Sequence, residues 1–151
     1  MSTTSTKRAA ESSRTPRKSL TALKITAVVT LLSTVAQPIL AGMFLDHNVS
    51  ALSMHQANAG ILHLLQFVQL IVAGLYWRPG GGRGWPLSAS TALWLAAGAQ
   101  FALGEAANLT IHLPLGVMIL ILQGCLTVWA MRQGAVVRVP DQRSRRPPRP
   151  G

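Results

Sequence analysis

The chain of 151 residues carries a formal charge of +10, and 49% of its residues are hydrophobic while only 12% are charged. A soluble domain normally carries about twice that charged fraction, and its apolar residues are not gathered into long blocks as they are here. This composition excludes an ordinary soluble enzyme. The basic residues are confined to the tails and one loop, which argues against a nucleic-acid partner. We therefore predict an integral membrane protein whose immediate partner is the lipid bilayer.

The composition divides the chain into three predicted parts. Residues 1–20 are rich in Ser, Thr, Lys and Arg with almost no large apolar side chain, which is typical of a disordered tail. Residues 21–132 form the transmembrane domain. Residues 133–151, rich in Pro and Arg, form a second disordered basic tail.

Four apolar blocks within the domain are long enough to cross a hydrocarbon core of about 30 Å, which needs ~20 helical residues. They cover residues 25–45, 57–77, 87–103 and 111–131. The connections between them are short, so neighbouring helices should be antiparallel. The predicted fold class is an all-α membrane protein, a four-transmembrane-helix up-down bundle.

The distribution of charge predicts the orientation in the membrane. Every Lys and Arg lies in the N-terminal tail, the second loop or the C-terminal end, whereas the first and third loops contain Asp46 and Glu105. Cytoplasmic loops collect Lys and Arg because these residues resist translocation. We therefore expect both termini to be cytoplasmic, in a multi-pass protein of the plasma membrane.

Polar residues are concentrated in the second predicted span. An α-helix advances ~100° per residue, so the five polar residues of this span share one broad half of the helix. Polar groups at membrane depth are costly and usually face a bundle interior, a cavity or a ligand. We expect this half to face the other helices. The five residues are His55, Asn58, His63, Gln66 and Gln69.

Part of this pattern recurs in the second half of the domain. In an up-down bundle the second and fourth spans are diagonal partners, so His55 and His112 should reach the core at a similar depth. Two such histidines can supply both axial ligands of a haem b. The recurring residues are His55 and Gln66 with His112 and Gln123, and Gln37 with Gln100.

The remaining intramembrane histidine, His63, lies about 12 Å deeper than His55 by helix rise. It is a candidate of second rank, either for a second binding site or as a hydrogen-bonded interior residue. Buried histidines often only tie helices together through hydrogen bonds, and this interpretation is also open for His55 and His112.

Two short runs carry a resemblance to a known family. The runs QFALG at 100–104 and LTIHLPLG at 109–116 resemble the Q-x-x-LG…H-L-x-x-A/G pattern of the heme A synthase family. The resemblance covers residues 21–131 and implies one four-helix half of a two-bundle fold. It implies haem-ligating histidines at the outer ends of the second and fourth helices, the positions that His55 and His112 occupy.

The chain also departs from this family. Gln56 follows His55 where the family has Arg, and Leu52 stands where the family has a catalytic glutamate. The paired loop cysteines and the second half are absent. The resemblance therefore implies haem binding without the family's oxidation of a haem methyl group, and no catalytic residue is assigned.

The leading hypothesis is a b-type haem-binding or electron-transfer protein, working alone, as a homodimer or in a larger membrane complex. The alternative is a cofactor-free membrane scaffold or accessory subunit of a larger complex. A small transporter or channel is disfavoured because no charged residue lies inside a span to mark an ion path.

Overall fold

The computed structural model describes residues 15–133, so residues 1–14 and 134–151, most of the two predicted tails, lie outside the described part. Within that part the chain forms four helices and no strand. The helices are α1 (Thr15–Leu45), α2 (Ser50–Trp77), α3 (Trp85–Glu105) and α4 (Leu109–Arg132). The predicted all-α, four-helix architecture is confirmed.

The C-terminal ends of the helices lie within two residues of the predicted spans, but the first two helices begin earlier, and α2 starts at Ser50 where the predicted span starts at residue 57. α1 starts at Thr15, inside the segment predicted to be a disordered tail. Its first turns are held by packing, since Leu20 contacts a buried cluster formed by Leu23, Ala73 and Tyr76. Burial of these side chains extends the helix beyond the apolar block that the sequence shows.

The helices form a closed ring of neighbours. α1 packs against α2 and α4, and α3 packs against the same two helices, so α2 and α4 face each other across a diagonal. Neighbours are antiparallel: Ser33 on α1 bonds to Asn58 on α2, and the more distal Gln37 bonds to His55. This is the arrangement expected of an up-down bundle.

The turns after α1 and α3 have the same geometry. His47 and Ala107, each two residues past a helix end, have positive φ angles of 66° and 51°. In each turn the following amide, that of Asn48 or Asn108, donates to a carbonyl five residues earlier. This bond is typical of a helix C-terminus closed by a left-handed residue. Asn108 also caps α4 by accepting from the Ile111 amide at 3.4 Å.

The surface of the bundle is apolar, and its interior contains polar as well as apolar side chains. Large apolar side chains such as Leu32, Leu64 and Met118 are exposed on the outside. Three of the four helices, α1, α2 and α4, are long and apolar enough to cross a membrane. Polar side chains are buried inside instead, as expected where the surroundings are lipid. The buried polar residues are Thr30, Thr34, Gln66, Gln69, Ser90, Gln123 and Thr127.

Candidate functional site

His55 and His112 meet inside one end of the bundle. Their ring centroids are 6.3 Å apart and the ring planes are inclined at 50°. His55 comes from α2 and His112 from α4, and both side chains are partly buried. The structure thus brings together the two histidines that the sequence repeat paired.

Both imidazoles are held by the same kind of hydrogen bond. Nδ1 of His55 lies 3.1 Å from the backbone carbonyl of Gln37, and Nδ1 of His112 lies 3.1 Å from that of Gln100. A carbonyl oxygen only accepts, so each bond requires the proton on Nδ1. A neutral imidazole with its proton on Nδ1 has a lone pair on Nε2, the nitrogen that is then able to bind a metal.

The side chain of Gln37 adds a second neighbour to His55. With its amide turned to satisfy its hydrogen bonds, Nε2 of Gln37 donates to Nδ1 of His55 at 3.0 Å and to the His55 carbonyl at 3.2 Å. Its Oε1 then accepts from the Ala59 amide at 3.0 Å. The two contacts of Nδ1 require opposite tautomers of His55, because the backbone carbonyl needs a proton on Nδ1 and the Gln37 amide needs a lone pair there. His112 has the backbone carbonyl alone.

Two glycines allow the helices to approach closely around His112. A Cβ at Gly104 would lie 3.4 Å from Cε1 of His112, and one at Gly116 would lie 2.8 Å from Nε2 of Gln100. Larger residues would therefore push against the imidazole or against the residue that holds it. Oε1 of Gln100 is buried without a hydrogen-bond partner, so this end of the core contains an unused polar acceptor.

A pair of hydrogen bonds joins α1 and α2 below His55. Nδ2 of Asn58 donates to the Ser33 carbonyl at 2.9 Å, and the Ser33 hydroxyl donates to Oδ1 of Asn58 at 3.0 Å. Asn58 is therefore satisfied by the protein itself. It ties helices together and offers nothing to a ligand.

A deeper polar layer joins all four helices, since Nε2 of Gln69 also donates to the Ser90 hydroxyl of α3 at 3.5 Å. Gln69 and Gln123 exchange side-chain bonds of 3.2 and 2.9 Å, and Gln123 also donates to the Ala27 carbonyl at 3.1 Å. Thr127 donates to the same carbonyl at 3.1 Å. Gln66, the residue that the sequence repeat matched to Gln123, is fully buried but has no partner at either amide atom.

His63 faces α3 rather than the histidine pair. Its ring stacks on Trp94 with centroids 5.5 Å apart and planes at 24°. Nδ1 is buried and makes no hydrogen bond. The hydrogen-bonded interior residue, one of the two roles predicted for His63, is therefore not what the structure shows.

The histidine pair by itself supplies fewer ligands than a bare metal ion usually takes in a protein. Within residues 15–133 no group of three or more His, Cys, Asp or Glu side chains is placed to hold a metal. Structural zinc sites take four protein ligands and catalytic ones three. A haem needs only one or two from the protein, because its ring supplies the other four nitrogens.

Comparisons with protein-family models, with curated proteins and with solved structures find no match for the chain. The resemblance to heme A synthases thus stays a prediction based on two short runs. The geometry of the bundle must support any functional assignment on its own.

Proposed function

We propose that the protein binds one b-type haem between α2 and α4, with His55 and His112 as the axial ligands. The observation that most supports this proposal is the distance between the two imidazole rings. A metal–nitrogen bond of about 2 Å places the centroid of each ligating imidazole about 3 Å from the metal, so two opposite ligands have centroids about 6 Å apart. The observed separation is 6.3 Å.

The carbonyl bonds to Nδ1 support the same assignment. Histidine ligands usually donate their second ring N–H to a carboxylate, a carbonyl or water, which fixes the tautomer and the orientation of the ring. Gln37 and Gln100 supply such a carbonyl to His55 and His112 at one distance, 3.1 Å. At His112, whose Nδ1 has this partner alone, the bond leaves Nε2 free to bind a metal.

A haem held in this way supplies one-electron redox chemistry. His55 and His112 would hold both axial positions, which favours electron transfer over the activation of a small molecule at the metal. Leu52 offers no acid or base beside them, so we assign no catalytic residue. The resemblance to one half of a heme A synthase supports the ligand positions and not that family's reaction.

We infer four membrane spans with both termini in the cytoplasm, α3 being the fourth. α3 has 21 residues, enough for about 31 Å of helix, and it packs between α2 and α4. It therefore lies at the depth of its two neighbours although it is less apolar than they are.

The aromatic and basic side chains at one end of the bundle support this orientation. Trp129 contacts Trp85 edge-on at a centroid distance of 4.6 Å and Tyr76 at 6.2 Å. The guanidinium of Arg78 lies 4.8 Å from the Trp77 ring centre. Aromatic rings and basic residues together are typical of a cytoplasmic interface. The histidine pair would then lie near the outer face of the plasma membrane.

The optical spectrum tests the haem assignment. We expect protein expressed with a haem supply and reduced with dithionite to show a Soret band and sharp α and β bands, at one haem per chain. His55→Ala and His112→Ala should lose them, whereas His47→Ala and His63→Phe should keep them. A colourless wild-type protein would contradict the proposal and favour the alternative, a cofactor-free scaffold.

A further inference from the structure

A groove between α2 and α3 lies apart from the histidine pair. It encloses a cavity of about 330 Å³ lined by Gly60, His63, Gly98 and Phe101. Small-molecule sites in proteins begin at about this volume. Gly60 has no atom within 4 Å of the position that a Cβ would take, and Phe101 is 46% exposed. The groove is therefore open towards the surrounding lipid.

The groove contains one polar side chain whose hydrogen bonds are unmet. Neither ring nitrogen of His63 has a hydrogen bond to any described residue, and Nδ1 is buried. In the bilayer core there is no bulk water to make up for this, and an unsatisfied polar group costs several kcal/mol. Because Nδ1 is closed off, a ligand in the groove can bond only to Nε2, which is not fully buried; His63 therefore calls for a polar ligand that reaches Nε2 from within the membrane.

The groups around the His63 ring favour a flat ligand. Trp94 covers one face of the His63 ring at a centroid distance of 5.5 Å and also contacts Phe67 at 5.8 Å. Gly98 approaches the His63 ring edge, since a Cβ there would lie 3.6 Å from Cε1. Trp94 and Phe67 do not line the groove itself; its lining is Gly60, Gly98, the His63 ring and the exposed Phe101 ring. Two helix backbones without side chains beside two rings leave a space that suits a planar group.

We propose that this groove binds the headgroup of a membrane quinone. A quinone ring is planar, carries carbonyl oxygens that accept a hydrogen bond from the His63 N–H, and has an apolar tail that stays in the lipid. A lipid acyl chain would fill the groove but leave His63 unsatisfied. A single water would satisfy His63 but leave the groove between Gly60 and Gly98 unfilled. The proposal concerns binding alone and does not depend on the haem.

The test is a titration of the haem-free full chain in lipid nanodiscs with a decyl-substituted benzoquinone, followed by tryptophan fluorescence. We expect saturable quenching by the quinone. His63→Phe keeps an aromatic ring against Trp94 but removes the donor, and should raise the Kd about tenfold, as expected for one lost hydrogen bond. Gly98→Leu should abolish the saturable phase. Gly124→Leu, at a glycine on α4 with nothing within 4 Å, should not change it.

Two further measurements keep the outcome decisive. His63→Gln retains a hydrogen-bond donor and should bind the quinone more tightly than His63→Phe. This comparison tests the role of His63 even if Gly98→Leu fails to fold. Decylbenzene, which has the tail without the carbonyls, should not compete. Linear quenching of the wild type, an unchanged Kd in His63→Phe, or competition by decylbenzene would each overturn the proposal. The haem spectrum of His63→Phe should be that of the wild type, so the two proposals can fail separately.

Discussion

Gln69 and Gln123 exchange two hydrogen bonds across the diagonal of the bundle, and both side chains are fully buried. The exchange joins α2 to α4, the two helices that carry the facing histidines. Because each amide both donates and accepts, a shift of one helix along the other would break both bonds. This polar layer therefore fixes the relative depth at which His55 and His112 meet.

Removal of one member of this pair should destabilise the bundle. Gln123→Met strands the Gln69 amide in an apolar core, and we expect a loss of about 1–3 kcal/mol in the free energy of unfolding. Gln69→Met should cost a similar amount. The double variant should cost less than the sum, because replacing both partners removes the unmet amide that each single change leaves. Unfolding in mixed micelles measures these values, with Gln56→Met on the exposed surface of α2 as the control. Strict additivity would contradict the pairing.

Replacing Gln66 should change the free energy of unfolding in the opposite direction to replacing Gln69, although the two residues are one helical turn apart. Both are fully buried, but Gln66 has no partner at either amide atom. Gln66→Met removes an unmet polar group at nearly constant volume and should stabilise the protein by about 1–3 kcal/mol. The same unfolding measurement applies. A destabilised Gln66→Met would show that the amide is satisfied by a partner such as internal water.

The contact between Gly104 and His112 should be sensitive to added bulk. A Cβ at Gly104 lies 3.4 Å from Cε1 of His112 and 3.6 Å from Nδ1, so Gly104→Val should push the ring off the Gln100 carbonyl. Loss of such an orienting bond lowers metal affinity 10- to 100-fold, and we expect a similar fall in haem affinity. Gly124→Val, in open space on α4, is the matched control. Equal haem affinity in both variants would contradict this role.

The orientation can be tested by labelling single cysteines. In a Cys125→Ser background, Asp46→Cys and Glu105→Cys should react with an impermeant maleimide added to intact cells. Arg83→Cys, in the glycine-rich second loop, should react only after the cells are opened. The expectation rests on the bias of Lys and Arg towards the cytoplasm. Labelling of Arg83→Cys from outside would overturn the proposed topology.

The features that follow from local pattern were predictable from the sequence. The apolar blocks predicted four helices with ends close to those observed, as at Leu45 and Trp77. The polar half of the second span was expected to face other helices, and Gln66 and Gln69 are indeed fully buried. Hydrophobicity and helical periodicity are enough for such conclusions.

The features that depend on packing were not predictable. The early start of α1 follows from contacts of Leu20 with residues of another helix, which no local pattern reveals. The repeat pointed to Gln66 as the counterpart of Gln123, but Gln69 is the bonded partner, because side-chain reach across a diagonal depends on helix depth and rotation.

The residues that orient the histidines were missed although a signal was present. Gln37 and Gln100 stood out in the sequence as a repeated pair, but no role followed from their side chains. The structure shows that their backbone carbonyls hold His55 and His112. Backbone groups leave no mark in a sequence, so only the repeated position could have indicated them.

Chemical rescue of a missing ligand tests the haem site most directly. His112→Gly should bind haem weakly, because one axial ligand is lost and a space remains beside Gly104. Added imidazole should enter that space and restore the Soret, α and β bands of the wild type, and the same should hold for His55→Gly. Full haem content in His112→Gly without imidazole would contradict ligation by the two facing histidines.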